Sequence, residues 1–443
     1  MKTKKLLALL LSFAMVLGAV GCGASNSNDA EETPTNAPAA EVEEEAEPEE
    51  GGVLTLFVQA ADETRISIKD DYIIPNFEKA FPGWKLEVTV IGTDDTSVAA
   101  MKTYNSTGDL PDVYWSDSRW SIPMIKSGNQ LDLSSYIGSD GFVDKYNGGE
   151  GFMSYKGGVY ALQPGSDAKY YPVFYYNTKV FEENNIQVPT TLDELFEVCD
   201  KLLVAGVTPF TLDGKGAYLD NAWFQMILAL VDYTKVDALL NNEIDFTDPA
   251  ILETIQIIED MLAKGYFGDR KAVAARTTGE YTEMFASGQV AMHADFYWNW
   301  SVYDNGETDF FLLKDDNGDT RINVWGNSVN GYAVYSGSEH VDMAVKLAEY
   351  CCEQEAIYHN EHGTATVFDT GIEPEATSEL QKKLNDVYNE TKLKQNTIRL
   401  NAFDSYVIGE FRTMLSALIA EQMTAEDFVK EFQTVFEQNT MFE

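Results

Sequence analysis

Histidine, cysteine and positive charge are all scarce in this chain. Four of its 443 residues are His and four are Cys, and 31 Lys and Arg stand against 72 Asp and Glu, for a net charge of −41. So few basic residues argue against nucleic acid or an anionic membrane surface as a partner of the fold, because both require a basic footprint. The cysteines do not make a disulfide framework. Cys351 and Cys352 are adjacent in a stretch of helical pattern, where geometry disfavours a bond, and Cys199 has no evident partner, so buried thiols are expected.

Catalytic and cofactor motifs are equally thin. Gly214-Lys215-Gly216 has neither the spacing nor the hydroxyl of a nucleotide loop, and no nucleophile elbow is present. His359-Asn360-Glu361-His362 offers two histidines three apart, but two ligands do not make a metal site. Asp315-Asp316-Asn317-Gly318-Asp319 lacks the spacing and distal Glu of a calcium loop and reads as a tight hairpin turn. Neither a cofactor nor a metal is expected. After the N-terminal region no apolar run approaches the roughly 20 residues that span a bilayer.

What is present begins with Cys22. Three lysines within Met1–Lys5, an apolar run from Leu6 to Val20 and the small residues Ala19-Val20-Gly21 before that cysteine read as a secretory signal (1–21) ending at a lipidated Cys22. Ala19 stands where leucine is usual. From Gly23 to Glu50 the chain is Ser, Asn, Ala, Pro and ten acidic residues, too polar to offset the entropy of ordering it, so 22–52 is expected to be a disordered tether. Setting aside the three lysines of the signal and the ten tether acids leaves −34 on residues 51–443. Nearly 400 residues are too many for one core and suit two lobes.

Hydrophobic periodicity then alternates strand and helix. Val53–Gln59, Trp84–Ile91 and Asp112–Trp115 read as strands, with helices over 72–81 and 98–104 between them, the signature of a parallel sheet covered by helices. Val159–Pro164 and Val173–Asn177 read as extended. Thr191 with Glu194 three residues on predicts a capping box opening a helix through Leu203. Further helices are predicted at 222–231, 249–264, 280–286, 342–355, 378–388, 403–421 and 424–438. No internal repeat is evident.

Several segments set aromatics beside Asp, Asn or Gln where a strand gives way to a loop: Trp115-Ser116-Asp117-Ser118-Arg119-Trp120, Asp220-Asn221-Ala222-Trp223, Asp295-Phe296-Tyr297-Trp298-Asn299-Trp300 and Trp325-Gly326-Asn327. A pyranose has a face of C–H groups and a rim of hydroxyls. Aromatic rings suit the face, and carboxylate and amide side chains suit the rim. Open α/β sheets bind ligands beyond strand carboxyl ends, which favours a ligand role over simple core packing for these tryptophans. Abundant carboxylates leave open a glycosidase-like pair.

Gly108-Asp109-Leu110-Pro111-Asp112-Val113-Tyr114-Trp115, Gly158-Val159-Tyr160-Ala161-Leu162, Tyr175-Tyr176-Asn177 followed by Pro189-Thr190-Thr191-Leu192-Asp193-Glu194-Leu195, and Phe285-Ala286-Ser287-Gly288-Gln289-Val290-Ala291-Met292 running into Trp298 come in an order and spacing that resembles the extracellular solute-binding proteins of sugar ABC importers, the group containing maltose-binding protein. The resemblance covers 53–443. It implies an α/β, two-lobed periplasmic-binding-protein-like fold, each lobe a sheet flanked by helices, joined by a multi-strand hinge. Residues 53–165 plus 296–334 are expected to form the N-terminal lobe and 166–295 plus 335–443 the C-terminal lobe, with crossings near Gln163–Tyr170, His293–Trp298 and Tyr332–Ser336.

The resemblance also implies a sugar held between the lobes, with Trp298 stacking on a ring and Asp117 binding hydroxyls. Trp120, Asp167, Trp223 and Asp295, and then Gln59, Asp62 and Asn330, are further candidate contacts. Its partners would be a carbohydrate ligand, the transmembrane subunits of an ABC permease and, through Cys22, the membrane. The expected state is a monomer without enzymatic activity, lipid-anchored at the extracellular face. A solute-binding protein for a peptide or cationic ligand, motivated by the acidity, and a cell-surface polysaccharide hydrolase stand as alternatives.

Overall fold

A computed structural model describes residues 51–438, apart from 61–62, 93–94, 118–119, 138–140, 146–151, 164–171, 216–222, 241, 321–330, 367 and 391–404. Two sheets organise the chain. The first contains β1 (Val53–Gln59), β2 (Lys85–Ile91), β3 (Val113–Ser116), β4 (Phe152–Tyr155), β5 (Gly158–Leu162) and β9 (Gly331–Val334), in the order β2-β1-β3-β9-β5-β4. β2, β1 and β3 are parallel, as the strand–helix alternation predicts; β9, β5 and β4 continue the sheet antiparallel. The second is antiparallel, with order β7-β6-β8, from β6 (Pro172–Asn177), β7 (Met292–Phe296) and β8 (Thr308–Phe311).

β3 and β9 are buried along their whole length, as strands covered on both faces are, whereas the edge strand β2 is largely exposed. Leu54, Leu56, Val58, Val113 and Trp115 join one core with helix Val341–Glu361, whose inward stripe of Ala344, Leu347, Ala348, Cys351, Cys352 and Ala356 lets it lie close to the strands. Tyr114, Ile91 and Ala333 face the other way, onto Met101, Trp120, Ile122 and Met124. Each fully buried aliphatic side chain contributes about 1.5–3 kcal/mol, so the alternation along β1 alone strongly fixes its register. Cys199, Cys351 and Cys352 are buried free thiols, as expected.

Most predicted helices form within a few residues of their expected limits. Helix Leu192–Val204 is capped by Thr191, whose hydroxyl accepts from Glu194 N–H at 3.3 Å. The Glu194 carboxylate, however, bonds the N–H and hydroxyl of Thr190, at 2.7 and 2.8 Å. A reciprocal capping box instead opens helix Thr278–Ala286, between Thr277 and Glu280. The acidic stretch at Asp315 is the predicted hairpin turn: Gly318, at φ +81°, donates to Asp315 O at 2.9 Å, and Lys314 and Thr320 pair across it.

Two segments pack differently from the expected division of the chain. β8, assigned to the first lobe by 296–334, pairs with β6 from Phe174↔Phe311 to Asn177↔Thr308, and Phe311 stacks on Phe174 at 5.2 Å between ring centroids. Helix Val341–Glu361, assigned to the second lobe by 335–443, packs on β3, β5 and β9. The crossings move accordingly. β7 stays in the second sheet where a return near His293–Trp298 was expected, and β9, expected as an exit, lies inside the first sheet between β3 and β5. The chain therefore passes from the second sheet to the first between Phe311 and Gly331. Gly331 enters at φ +154° with its Cα so close to β5 that a Cβ would lie 2.5 Å from Leu162 O, a place only glycine occupies without strain.

Candidate ligand-binding site

Strand register brings a polar row to one end of the first sheet. β1 and β3 pair at Leu56↔Val113 and Phe57↔Tyr114, so continuing both strands sets Gln59 beside Ser116. Ser116 faces Gly331 on β9, and Leu162↔Tyr332 sets Gln163 beside that glycine from β5. Gln59, Ser116, Asp117 and Gln163 thus lie across three strand carboxyl ends, and all are buried, Gln59 and Asp117 with 8% exposure each. Gln130 binds the row together: its Nε2 donates to Tyr160 O at 2.8 Å and Ser116 Oγ at 3.3 Å, while Ser121 Oγ donates to its Oε1 at 3.3 Å. The backbone turns away at Asp117, whose carbonyl accepts from Trp120 N–H and Ser121 N–H at 3.1 and 2.8 Å.

Gln59 Nε2 is buried and has no hydrogen-bond partner among the described residues. An amide donor in that state costs about 1–3 kcal/mol unless something accepts from it. A cluster that donates and accepts through amides, hydroxyls and one carboxylate is suited to a neutral polyhydroxyl compound. Ser116 falls within the Trp115–Trp120 segment without being named as a contact, and nothing in the local sequence marks Gln130, Ser121 or Gln163, since only the pairing of distant strands brings them together.

The tryptophans behave otherwise. Trp223 is 2% exposed and wedged among Phe174, Phe210 and Phe267, with ring centroids 5.6, 5.0 and 5.1 Å away. Trp120 is 0% exposed in the core beneath Tyr114. Both are packed in the core, with most of their apolar area against neighbouring side chains. Trp115 is covered too, by the Arg65 guanidinium 4.2 Å above its ring and by Tyr332 edge-on at 5.1 Å. Glu355 holds that group in place, accepting from Tyr332 OH at 2.9 Å and pairing with Arg65 at 3.7 Å. Burial and the neighbouring carboxylate push the Tyr332 hydroxyl well above its ordinary pKa, keeping it a donor.

Asp295 also faces inward, at 1% exposure. Its carboxylate accepts from Phe296 N–H at 2.7 Å, Asn299 Nδ2 at 3.0 Å and Tyr303 OH, and His293 Nε2 lies 2.9 Å from that hydroxyl. Three of the roughly four acceptor sites of this buried carboxylate are thus spent on donors within the protein. Burial, with Asp295 beside it, raises the Tyr303 pKa far above the phenolic range. The turn following Asp295, Tyr297–Asn299, contains Trp298. The Trp298 side chain lies outside the described residues, as do Asp62, Asp167, Asn330, Asp220, Asn221, the Trp325-Gly326-Asn327 motif and Cys22.

Elsewhere, a cavity of about 410 Å³ lies between helices Arg270–Ala275 and Thr278–Ala286, lined by Arg276, Glu280 and Glu283 among others, and one of about 530 Å³ borders Asn242–Asp248 and Gln433. Neither touches the strand-end row. Among the described residues no group of three His, Cys, Asp or Glu could hold a metal ion, and no helix is long and apolar enough to cross a membrane. Glu361, in the His359–His362 stretch, accepts from Tyr72 OH at 2.5 Å.

Residues 73–366 match the family model of the bacterial extracellular solute-binding proteins, well over half of the chain. The chain belongs to that family. A curated relative, an uncharacterized ABC transporter extracellular-binding protein of Pyrococcus horikoshii, is 24% identical over 66% of this chain and 64% of its own length. Among solved structures this solute-binding protein is similar to a protein of xylan utilization in Caldanaerobius polysaccharolyticus (22% identical, TM-score 0.71, 86% of this chain and 99% of that one). It is also similar to a chitin oligosaccharide binding protein (21%, TM-score 0.70, 87% and 98%) and to RafE in complex with raffinose (18%, TM-score 0.66, 88% and 100%). Overlap across nearly the whole of each neighbour shows the fold: the α/β, two-lobed architecture of solute-binding proteins.

Proposed function

We propose that this protein is the carbohydrate receptor of an ABC-type importer, holding a sugar or oligosaccharide between two lobes and delivering it unaltered to a membrane permease. The observation that carries the reading is the polar row at the strand ends, with the Gln59 amide lacking a partner among the described residues and Asp117 at its side. Support comes from the xylan, chitin oligosaccharide and raffinose associations of the similar structures. Trp298 stacks on a sugar ring, and Asp62, Asp167 and Asn330 complete the rim. The first lobe comprises about 53–163 with 331–361, and the second about 172–320 with the C-terminal helices. Closure is favoured by the ligand's extra contacts in the closed form, since a ligand shifts such an equilibrium only by differential affinity. Cys22 carries the lipid, and the acidic tether holds a monomeric binding unit clear of the membrane.

A thermal-shift screen over mono- and oligosaccharides, polyamines and short peptides tests this, because a ligand that binds only the native state stabilises it by about 2.7 kcal/mol at a hundredfold excess over Kd. Carbohydrate is expected to raise Tm and to be recovered intact. A shift with amines or peptides alone would overturn the carbohydrate assignment, and released product would establish the hydrolase instead.

A further inference from the structure

We propose that Asp295 is a positioning residue, which fixes the turn carrying Trp298 from beneath and touches no ligand itself. The inference takes its ligand from the carbohydrate reading above, but its geometry stands alone. β7 ends at Phe296 and the backbone at once folds into the turn Tyr297–Asn299 and the short helix Trp300–Tyr303. Neither segment has the length to hold its shape by its own hydrogen bonds. Two buried side chains do so instead. From β6, Tyr175 OH donates to the carbonyls of Phe296 and Tyr297, at 3.1 and 3.2 Å. From β7, Asp295 takes the N–H of Phe296, the amide of Asn299 and the hydroxyl of Tyr303, and so ties the start, middle and end of the turn to one carboxylate.

The proton order of this cluster follows from its donors. Tyr303 spends its proton on Asp295, so its oxygen accepts from His293, whose Nε2 lies 2.9 Å away and must carry the ring proton. His293 Nδ1 is buried with no partner among the described residues, which suits a bare acceptor and opposes a second N–H. The imidazole is clamped between Tyr281, Phe285 and Tyr303 at 4.7, 5.5 and 5.2 Å between centroids, with Asp295 Oδ2 3.4 Å from its Nε2. Tyr175, Tyr281, Phe285, His293, Asp295 and Tyr303 are each at most 3% exposed, and Asn299 is half-buried.

An asparagine at 295 keeps the shape but turns an NH2 group toward at least one of the three donors. Calorimetric titration of the full chain with xylotriose, chitotriose and raffinose, in wild type, Trp298→Ala, Asp295→Asn and the double variant, reads the coupling. Each single change is expected to weaken binding about tenfold, and the pair together also about tenfold, because both act through one indole. In ligand-free protein, amide exchange across 296–303 is expected to rise in Asp295→Asn while 173–177 stays protected. Tyr303→Phe, which removes one donor and no charge, should show the same effects at a smaller size and serves if Asp295→Asn does not fold. Multiplicative losses in the double variant, or unchanged exchange across the turn, would overturn the proposal. Should wild type bind none of the three sugars, the carbohydrate reading fails, and the ligand-free exchange alone decides the role of Asp295.

Discussion

Replacing Gln59 by methionine separates a residue kept for binding from one kept for stability. Gln59 closes β1 with 8% exposure, and its Nε2 has no partner among the described residues. In the absence of ligand that donor costs about 1–3 kcal/mol, which a methionine of nearly the same length removes while adding apolar contact with the end of the sheet. The ligand-free variant is therefore expected to be more stable by about 1–2 kcal/mol. For a lobe of this size that raises Tm by roughly 2–8 °C, at 2–4 °C per kcal/mol. Binding should move the opposite way: losing one hydrogen bond to a sugar oxygen costs about 0.5–1.5 kcal/mol, or up to about tenfold in Kd. Calorimetric unfolding without ligand and titration with it measure both. A methionine variant that is less stable and binds as well as wild type would refute the argument, since Gln59 would then be an ordinary structural residue.

Trp223→Ala should cost about 3–5 kcal/mol in urea unfolding, because three phenylalanine rings lose their shared neighbour, while the folded fraction keeps its sugar affinity; lost binding at unchanged stability would restore Trp223 to the site. Phe246→Ala should cost a similar amount, as Phe432 lies 4.5 Å from it and Phe224, Phe411 and Phe436 lie within 5.9 Å, joining helices Ser405–Ile419 and Ala425–Phe436. Gly331→Ala, with its Cβ driven toward Leu162 O, should lower Tm sharply and weaken binding through the displaced strand end. Glu280 has its pKa lowered by the Thr277 backbone and hydroxyl, so its stabilisation is present above the unfolded carboxylate value of about 4.3 and is lost as pH falls through the lower folded value. Glu280→Gln should therefore lower stability at pH 7, where the ionised carboxylate contributes, and flatten the acid limb of the stability curve, as followed by thermal melts between pH 3 and 7.

Much of the fold was legible because its elements are locally determined. β1 alternates, helix Leu192–Val204 carries its own cap, and helix Ala425–Phe436 places Phe428, Phe432, Val435 and Phe436 on one stripe. What could not be read locally was which sheet a short strand joins. β8 and β9 are four residues each, and their partners lie more than 130 residues away. Nothing within Thr308–Phe311 distinguishes pairing with β6 from pairing in the first sheet until Phe311 meets Phe174. The strand-end location of the proposed site follows from the parallel β1 and β3, the rule that singled out Gln59 and Asp117. Trp120 and Trp223, singled out by the same rule, are packed among core side chains, because an aromatic beside an acid at a strand end serves equally well to seal the core.

The distinction between those two uses was nevertheless present in β7. Residues two apart on a strand share a face, so His293 and Asp295 point together, and a face bearing both an imidazole and a carboxylate within Met292–Phe296 is one where polar groups satisfy each other. Asp117 lies just beyond the end of β3 at Ser116, where that two-residue rule no longer applies. An acid whose same-face neighbour can answer it is a candidate for internal bonding. By this test Asp295 belongs to the scaffold, while Asp117 keeps the site role proposed for it. Asp117→Ala should accordingly weaken sugar binding about tenfold or more, at the upper range for a charge-assisted bond of about 1.5–3 kcal/mol, with Tm shifted by no more than a few degrees. A large fall in Tm with affinity unchanged would show that Asp117, like Asp295, faces the protein.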